Sequence, residues 1–155
     1  IDADALNIIA EDISLLKSYS HVAIITPHIG EFMRLTGLTK EELLKDSVAA
    51  AKSFAQEFNV ILVMKNAVTV VAEPCENGRA YINSSGTGAM SKAGMGDVLT
   101  GVIAGMLSLR IEPFSAACMG VYLHGIAGEI AEEEQGSHSV MAGDVVNILG
   151  KAVNK

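Results

Sequence analysis

The chain has 155 residues, half of them hydrophobic and 19% charged, with a formal net charge of −7; this suits one compact domain with its own core. Its eleven Lys and Arg residues are scattered, so no basic stripe offers itself to a nucleic-acid backbone, and no signal peptide or bilayer-length apolar span is visible. Cys75 and Cys118 stand apart without ligand spacing, which argues against zinc and a disulfide framework and suits a reducing cytosol. With aromatics at 5% and no Trp, the expected core is aliphatic.

In chain order, Ile1 suits the last residue of a strand, and Asp2 to Asn7 a polar turn leading into a short helix. No strand precedes Ile1, so earlier parts of the domain are expected to lie outside this chain. His21 to Ile25 is a short β-branched run closed by Thr26-Pro27, where proline removes a ladder donor and forces a strand-to-loop switch. Glu31 to Thr36 reads as a helix stopped by Gly37. Thr39 and Glu42 have capping-box spacing and open a helix expected to run to about Phe58. Val60 to Met64 is a fully buried strand, Val68 to Ala72 a second, and Ala80 to Asn83 a third after the turn Glu76 to Arg79. Ser84 to Gly96 reads as a loop. Three helices follow, roughly Gly96–Leu109, Pro113–Glu134 and Gly143–Val153, with Pro113 placed for a first helical turn.

Strands followed by helices indicate an open α/β sheet, whose ligands bind beyond the carboxyl ends of the strands. Thr26–Gly30, Lys65–Asn66 and Asn83–Asp97 are all expected at those ends. The segment Gly86 to Asp97 carries the chemistry. Gly94 and Gly96 let the backbone approach a ligand, and the helix they open presents unpaired amides that favour an anion. Asp97 would then be an acid beside an anion site. Acids at helix starts are commonly caps; the long Gly-rich loop before Asp97, and Gly101 and Gly105 in the apolar helix after it, favour chemistry.

The block NSSGTGAMSKAGMGDVLTGVIAG, Asn83 to Gly105, resembles the signature of the ADP/ATP-dependent NAD(P)H-hydrate dehydratases of the ribokinase-like superfamily. Asp2–Asn7, Thr26–Phe32, Lys65–Thr69 and Gly120–Gly128 are similar to further segments of that family in the same order. The resemblance implies a ribokinase-like α/β fold, with an open, mostly parallel sheet and helices on both faces, residues 1–155 being the carboxy-terminal part of a single domain. It also implies ATP- or ADP-dependent dehydration of hydrated NADH and NADPH, NAD(P)HX, with Mg2+ as a further cofactor. In that reaction the substrate hydroxyl is phosphorylated and phosphate then leaves.

By the same resemblance Asp97 is the base that takes the hydroxyl proton and also contacts substrate. Amides near Gly94 and Gly96 stabilise the moving phosphoryl group, Lys65, Asn66, Ala67, Val68 and Thr69 hold the AMP portion, and His28 contacts the nicotinamide substrate. No protein side chain is assigned as a metal ligand. Asn66 stands where Gly is usual, and Ala93 and Met95 where Gly and a small polar residue are commoner. A ribokinase-like vitamin-alcohol kinase using the same Asp97, and a nucleotide-binding remnant without catalysis, are the alternatives. The expected setting is cytoplasmic, without nucleic acid or membrane, as a homo-oligomer or beside a companion fragment supplying the amino-terminal part.

Overall fold

The computed structural model describes residues 1–154 and divides into two compact units, Ile1–Ile82 and Asn83 onward. The first unit is a four-stranded sheet with helices. Its strands, β1 (Ala23–Ile25), β2 (Val60–Met64), β3 (Val70–Ala72) and β4 (Ala80–Ile82), lie side by side in chain order. β1 and β2 are parallel, in register Ala23↔Val60 to Ile25↔Leu62. β2–β3 and β3–β4 are antiparallel. The sheet is therefore mixed rather than mostly parallel in its pairing, although β1, β2 and β4 all run in one direction. The cause is connection length: the links after β2 and β3, residues 65–69 and 73–79, are too short for a parallel crossover, which takes a dozen residues or more.

Ile1 flanks β1 as a parallel neighbour does. Its nitrogen donates to the Ile24 carbonyl at 2.8 Å, and its carbonyl accepts from the Thr26 amide at 3.1 Å. α1 (Asp4–Glu11) follows, then a 3-10 turn over Ile13–Ser18 that periodicity alone did not signal.

α2 (Ile29–Thr36) ends on Gly37, whose φ of 71° supplies the left-handed stop expected of it. The helix opened by Thr39 is two helices, α3 (Lys40–Lys45) and α4 (Ser47–Phe58). Asp46 separates them: its backbone leaves helical space at φ −149°, and its carboxylate accepts from the Ala49 amide at 2.9 Å, capping α4 anew. Thr39 and Glu42 form the expected capping box.

α4 packs on β2 and β3. Leu62, Met64, Val70, Ala72, Ile25 and Phe32 belong to its core. That core is less purely aliphatic than composition suggests. Phe32 meets Phe54 edge-on at 5.1 Å, and Phe54 lies 4.6 Å from Phe58, so three of the chain's four Phe residues share one cluster.

The second unit is a helical bundle: α5 (Met95–Ser108), α6 (Pro113–Gln135) and α7 (Ala142–Ala152), with a 3-10 turn over Gly88–Met90 in the preceding loop. α6 is the central element, packing against both α5 and α7. Pro113 occupies its first turn as expected, and the Glu112 carboxylate accepts from the Phe114 and Ser115 amides, both at 2.9 Å. Where α5 crosses α6, a Cβ on Gly120 would lie 2.6 Å from Ile103 Cγ1; only glycine permits that approach. No helix of the described residues is long and apolar enough to cross a membrane.

Candidate active site

In the first unit, two of the expected ligand-facing segments meet at the carboxyl ends of β1 and β2. His28 and Lys65 form an isolated parallel bridge, and the Lys65 amide donates to the Pro27 carbonyl at 2.8 Å. The chain also leaves β4 at the sheet end shared with β1 and β2, into Asn83.

His28 is the N-cap of α2, a role its residue type does not advertise. Its Nδ1 accepts from the Gly30 amide at 3.0 Å and the Glu31 amide at 3.2 Å. A ring nitrogen that accepts twice carries no proton, so the neutral ring bears its proton on Nε2. The buried Glu31 returns the contact, accepting from the His28 amide through Oε2 at 2.7 Å and placing Oε1 3.4 Å from Nε2. Both Glu31 oxygens thus face the cap, while the His28 side chain stays 54% exposed.

Lys65 is not a free cation. Its Nζ lies 2.9 Å from Asp2 Oδ1, with the two side chains 18% and 11% exposed. Asn66, Ala67 and Val68 form an exposed bend, so β3 starts at Val70 rather than Val68. Asn66 is not among the positive-φ residues. The bend therefore does not draw on the left-handed tolerance of Asn, and its conformation does not require Gly.

In the second unit, Gly94, Gly96 and Asp97 come together at the start of α5. Gly94 is its N-cap at φ 84°, a conformation that costs L side chains strain, and no side chain caps the helix. The Gly94 carbonyl accepts from the Val98 amide at 3.1 Å, and the Met95 amide reaches the Lys92 carbonyl at 3.4 Å. Among the described residues, the Gly96 and Asp97 amides are left without an acceptor. They are the donors, reinforced by the helix dipole, that an anion would meet.

Asp97 is exposed and forms no hydrogen bond or ion pair among the described residues, so the ordinary reading of it as a cap is set aside. It stands at the edge of an apolar cleft of about 640 Å³ lined by residues such as Val98, Gly101 and Gly105 of α5, Val146 and Leu149 of α7, and Val153 just after it. Among the described residues no group of three or more His, Cys, Asp or Glu side chains forms a metal cage.

The loop before α5 is held down by ties that sequence reasoning missed. Ser85 Oγ donates to the Tyr122 carbonyl at 2.9 Å, and the Gly86 amide donates to Glu129 Oε1 at 2.8 Å. Lys92 Nζ donates to the His138 and Val140 carbonyls at 2.8 and 2.7 Å. Beneath them, Gly125 and Gly128 of α6 admit the loop. A Cβ on Gly125 would lie 2.8 Å from the Gly86 nitrogen, and one on Gly128 would lie 2.2 Å from Met90 Sδ. The three-residue spacing of these glycines on one helix face was the available signal.

The geometry has counterparts among known proteins. A family model described as NAD(P)H-hydrate dehydratase matches residues 1–151. The bifunctional NAD(P)H-hydrate repair enzyme Nnr of Moorella thermoacetica is 42% identical over 149 residues, which is 96% of this chain and 28% of that protein. A crystal structure of the ADP/ATP-dependent NAD(P)H-hydrate dehydratase from Bacillus subtilis, co-crystallized with ATP/Mg2+, is similar with a TM-score of 0.81 at 38% identity, covering 86% of this chain and 47% of that one. A ribokinase-like superfamily protein from Enterococcus faecalis shares the fold at a TM-score of 0.77 and 22% identity, covering 99% of this chain and 51% of that one. This chain spans about half the length, or less, of the relatives it matches.

Proposed function

The chain belongs to the NAD(P)H-hydrate dehydratase family, and from that premise we propose that it carries the catalytic carboxylate for ATP- or ADP-dependent dehydration of NADHX and NADPHX. The observation that carries the reading is the start of α5: free Gly96 and Asp97 amides beside an exposed, uncapped carboxylate.

Bound ATP or ADP, with Mg2+, supplies the phosphoryl group that converts the substrate hydroxyl into a leaving group. Phosphoryl transfer asks a protein for positioning and charge stabilisation more than covalent help. The Gly96 and Asp97 amides donate to the oxygens of that group, without reorganising as charge shifts. Asp97 accepts the hydroxyl proton at its carboxylate, a base task worth about 10²–10⁴-fold in rate. Mg2+ keeps much of its water shell and is held largely through phosphates, so it needs no cage of protein carboxylates.

Lys65, Asn66, Ala67, Val68 and Thr69 hold the AMP portion in this reading. The exposed bend 66–68 offers backbone groups for it, and the Asp2 ion pair fixes where the Lys65 ammonium stands. His28 contacts the nicotinamide substrate: with Nδ1 spent on the cap and Nε2 near Glu31 Oε1, the exposed face of the ring is the part open to a ligand. The same proposal holds residues 1–155 to be the carboxy-terminal part of a single ribokinase-like domain. It works in the cytoplasm, as a homo-oligomer or beside the segment that completes the domain.

The test incubates the complete protein with hydrated NADH or NADPH, ATP or ADP and Mg2+ and follows the return of reduced-nicotinamide absorbance. Nucleotide-dependent recovery is the expected outcome. A stable phosphoester of a vitamin alcohol, with no recovery from NAD(P)HX, would make the protein a kinase. Nucleotide binding without either turnover would make it a remnant.

A further inference from the structure

We infer that Lys92 is a positioning residue for the α5 amides, acting from outside the anion site by tying the loop before that helix to the segment between α6 and α7. The functional consequence rests on the proposed reading of α5; the structural one does not.

The backbone between the 3-10 turn and α5 is weakly held. The Ser91 and Lys92 amides bond back into that turn, to the Gly88 carbonyl at 3.1 Å and the Met90 carbonyl at 2.8 Å. Forward into the helix, among the described residues, there are the long 3.4 Å bond from the Met95 amide to the Lys92 carbonyl and the 3.1 Å bond from the Val98 amide to the Gly94 carbonyl. At Gly94 the chain then takes its left-handed turn, and a Cβ there would touch the Ala142 Cβ at 3.2 Å. The first residue of α7 is therefore the wall against which the N-cap of α5 sits.

Among the described residues no backbone hydrogen bond joins that wall to that cap; the Lys92 side chain links the two segments. Its ammonium spends two of its three donors on the His138 and Val140 carbonyls, at 2.8 and 2.7 Å. Val140 is fully buried and belongs to the core that also holds Met95 and Val145. The tie thus runs from the loop to a rigid point two residues before Ala142. Charge-assisted bonds of this length are the strong kind.

Two consequences follow. Removing the ammonium frees the loop to lift from Ala142, which loosens the bonds at the helix start, Met95 to Lys92 and Val98 to Gly94. The Gly96 and Asp97 amides then sample a wider spread of positions. Misplacement by about an ångström costs on the order of 10²-fold in a reaction that depends on alignment.

The experiment compares wild type with Lys92→Met, which keeps the stem and loses the charge, and Lys92→Arg, which restores two donors. The primary readout is amide hydrogen exchange without ligand. Exchange at Met95 and Val98 rises about tenfold in the Met variant, as expected for loss of a charge-assisted tie, with Val102 and Ile103 unchanged; the Arg variant returns to within about threefold of wild type. In steady state the Met variant loses about ten- to a hundredfold in kcat with KM for the hydrated dinucleotide nearly constant, the pattern of an interaction made in the transition state.

Should Lys92→Met not fold, Lys92→Gln takes its place in both readouts. Unchanged exchange at Met95 and Val98 overturns the inference, whatever the activity. Raised exchange with undiminished kcat leaves Lys92 a structural tie and overturns its functional role. Should wild type show no dehydration, the reading of α5 fails instead, and the exchange data alone decide whether Lys92 positions the loop.

Discussion

Replacing Gly125 by Ala should damage the second unit even though alanine is the better helix former. Gly125 lies within α6, and a Cβ built there would stand 2.1 Å from Ser85 Oγ, 2.7 Å from the Ser85 carbonyl carbon and 2.8 Å from the Gly86 nitrogen. The hydroxyl can rotate away, at the cost of its bonds to Asn83 Oδ1 at 3.0 Å and the Tyr122 carbonyl at 2.9 Å. The two backbone atoms cannot, so the loop must rise, straining the bond from the Gly86 amide to Glu129. Overpacking of this kind costs about 1–3 kcal/mol, and each lost hydrogen bond adds about 1 kcal/mol. Relief of glycine's helix penalty returns only about 0.5–1 kcal/mol. The net loss, about 2–4.5 kcal/mol, lowers Tm by roughly 4–18 °C in a chain of this size. Thermal unfolding followed by circular dichroism reads it directly. Gly105→Ala is the control: nothing lies within 4 Å of its Cβ, so Tm should hold or rise. A Gly125→Ala variant as stable as wild type would mean that the loop is not seated on α6 in this way.

Two further perturbations separate fold from function. His28→Ala removes the acceptor for the Gly30 and Glu31 amides and should cost about 0.5–2 kcal/mol by urea unfolding, whereas His28→Asn restores a capping oxygen and most of that stability. If His28 also meets substrate, the Asn variant keeps its stability yet shows a raised KM for NAD(P)HX; an unchanged KM would confine His28 to the cap. In the β3–β4 hairpin, the side-chain hydrogen bonds of Arg79 hold Glu73 down from 4.5 to about 2. That tie stabilises the hairpin fully above about pH 4.5 and is lost as pH falls toward 2. Arg79→Ala removes the guanidinium but keeps the backbone donor, so it should raise the Glu73 midpoint part of the way toward the ordinary carboxylate range in an NMR titration, and a midpoint that stayed near 2 would assign the shift elsewhere.

The elements legible in the sequence were those set by local chemistry. The buried run at β2, Gly37 as a helix stop, the Thr39–Glu42 box and Pro113 in a first turn all depend on residues within a few positions of one another. What escaped depends on partners without a sequence signature. Asp46 breaks the long helix because its carboxylate reaches Ala49, yet the apolar stripe runs on across the break. His28 caps α2 although histidine is an uncommon cap. Lys92, Ser85 and the Gly86 amide find their partners 37 to 48 residues away, three of these four bonds ending on backbone carbonyls that any residue type supplies. At the candidate site, Gly94, Gly96 and Asp97 were readable because a glycine-opened helix start is local. The Asp2 partner of Lys65 was not, since 63 residues separate the two.

The most direct test of the chemistry at α5 is Asp97→Asn, measured for turnover and for nucleotide affinity in the same preparation. The amide keeps the shape of the carboxylate and leaves the backbone donors of Gly96 and Asp97 in place. If Asp97 takes the hydroxyl proton, nucleotide-dependent dehydration of NAD(P)HX falls by about 10²–10⁴-fold, while the Kd for ATP or ADP measured by calorimetry stays within a fewfold of wild type. Turnover that survives the substitution would contradict the assignment of Asp97 as the base.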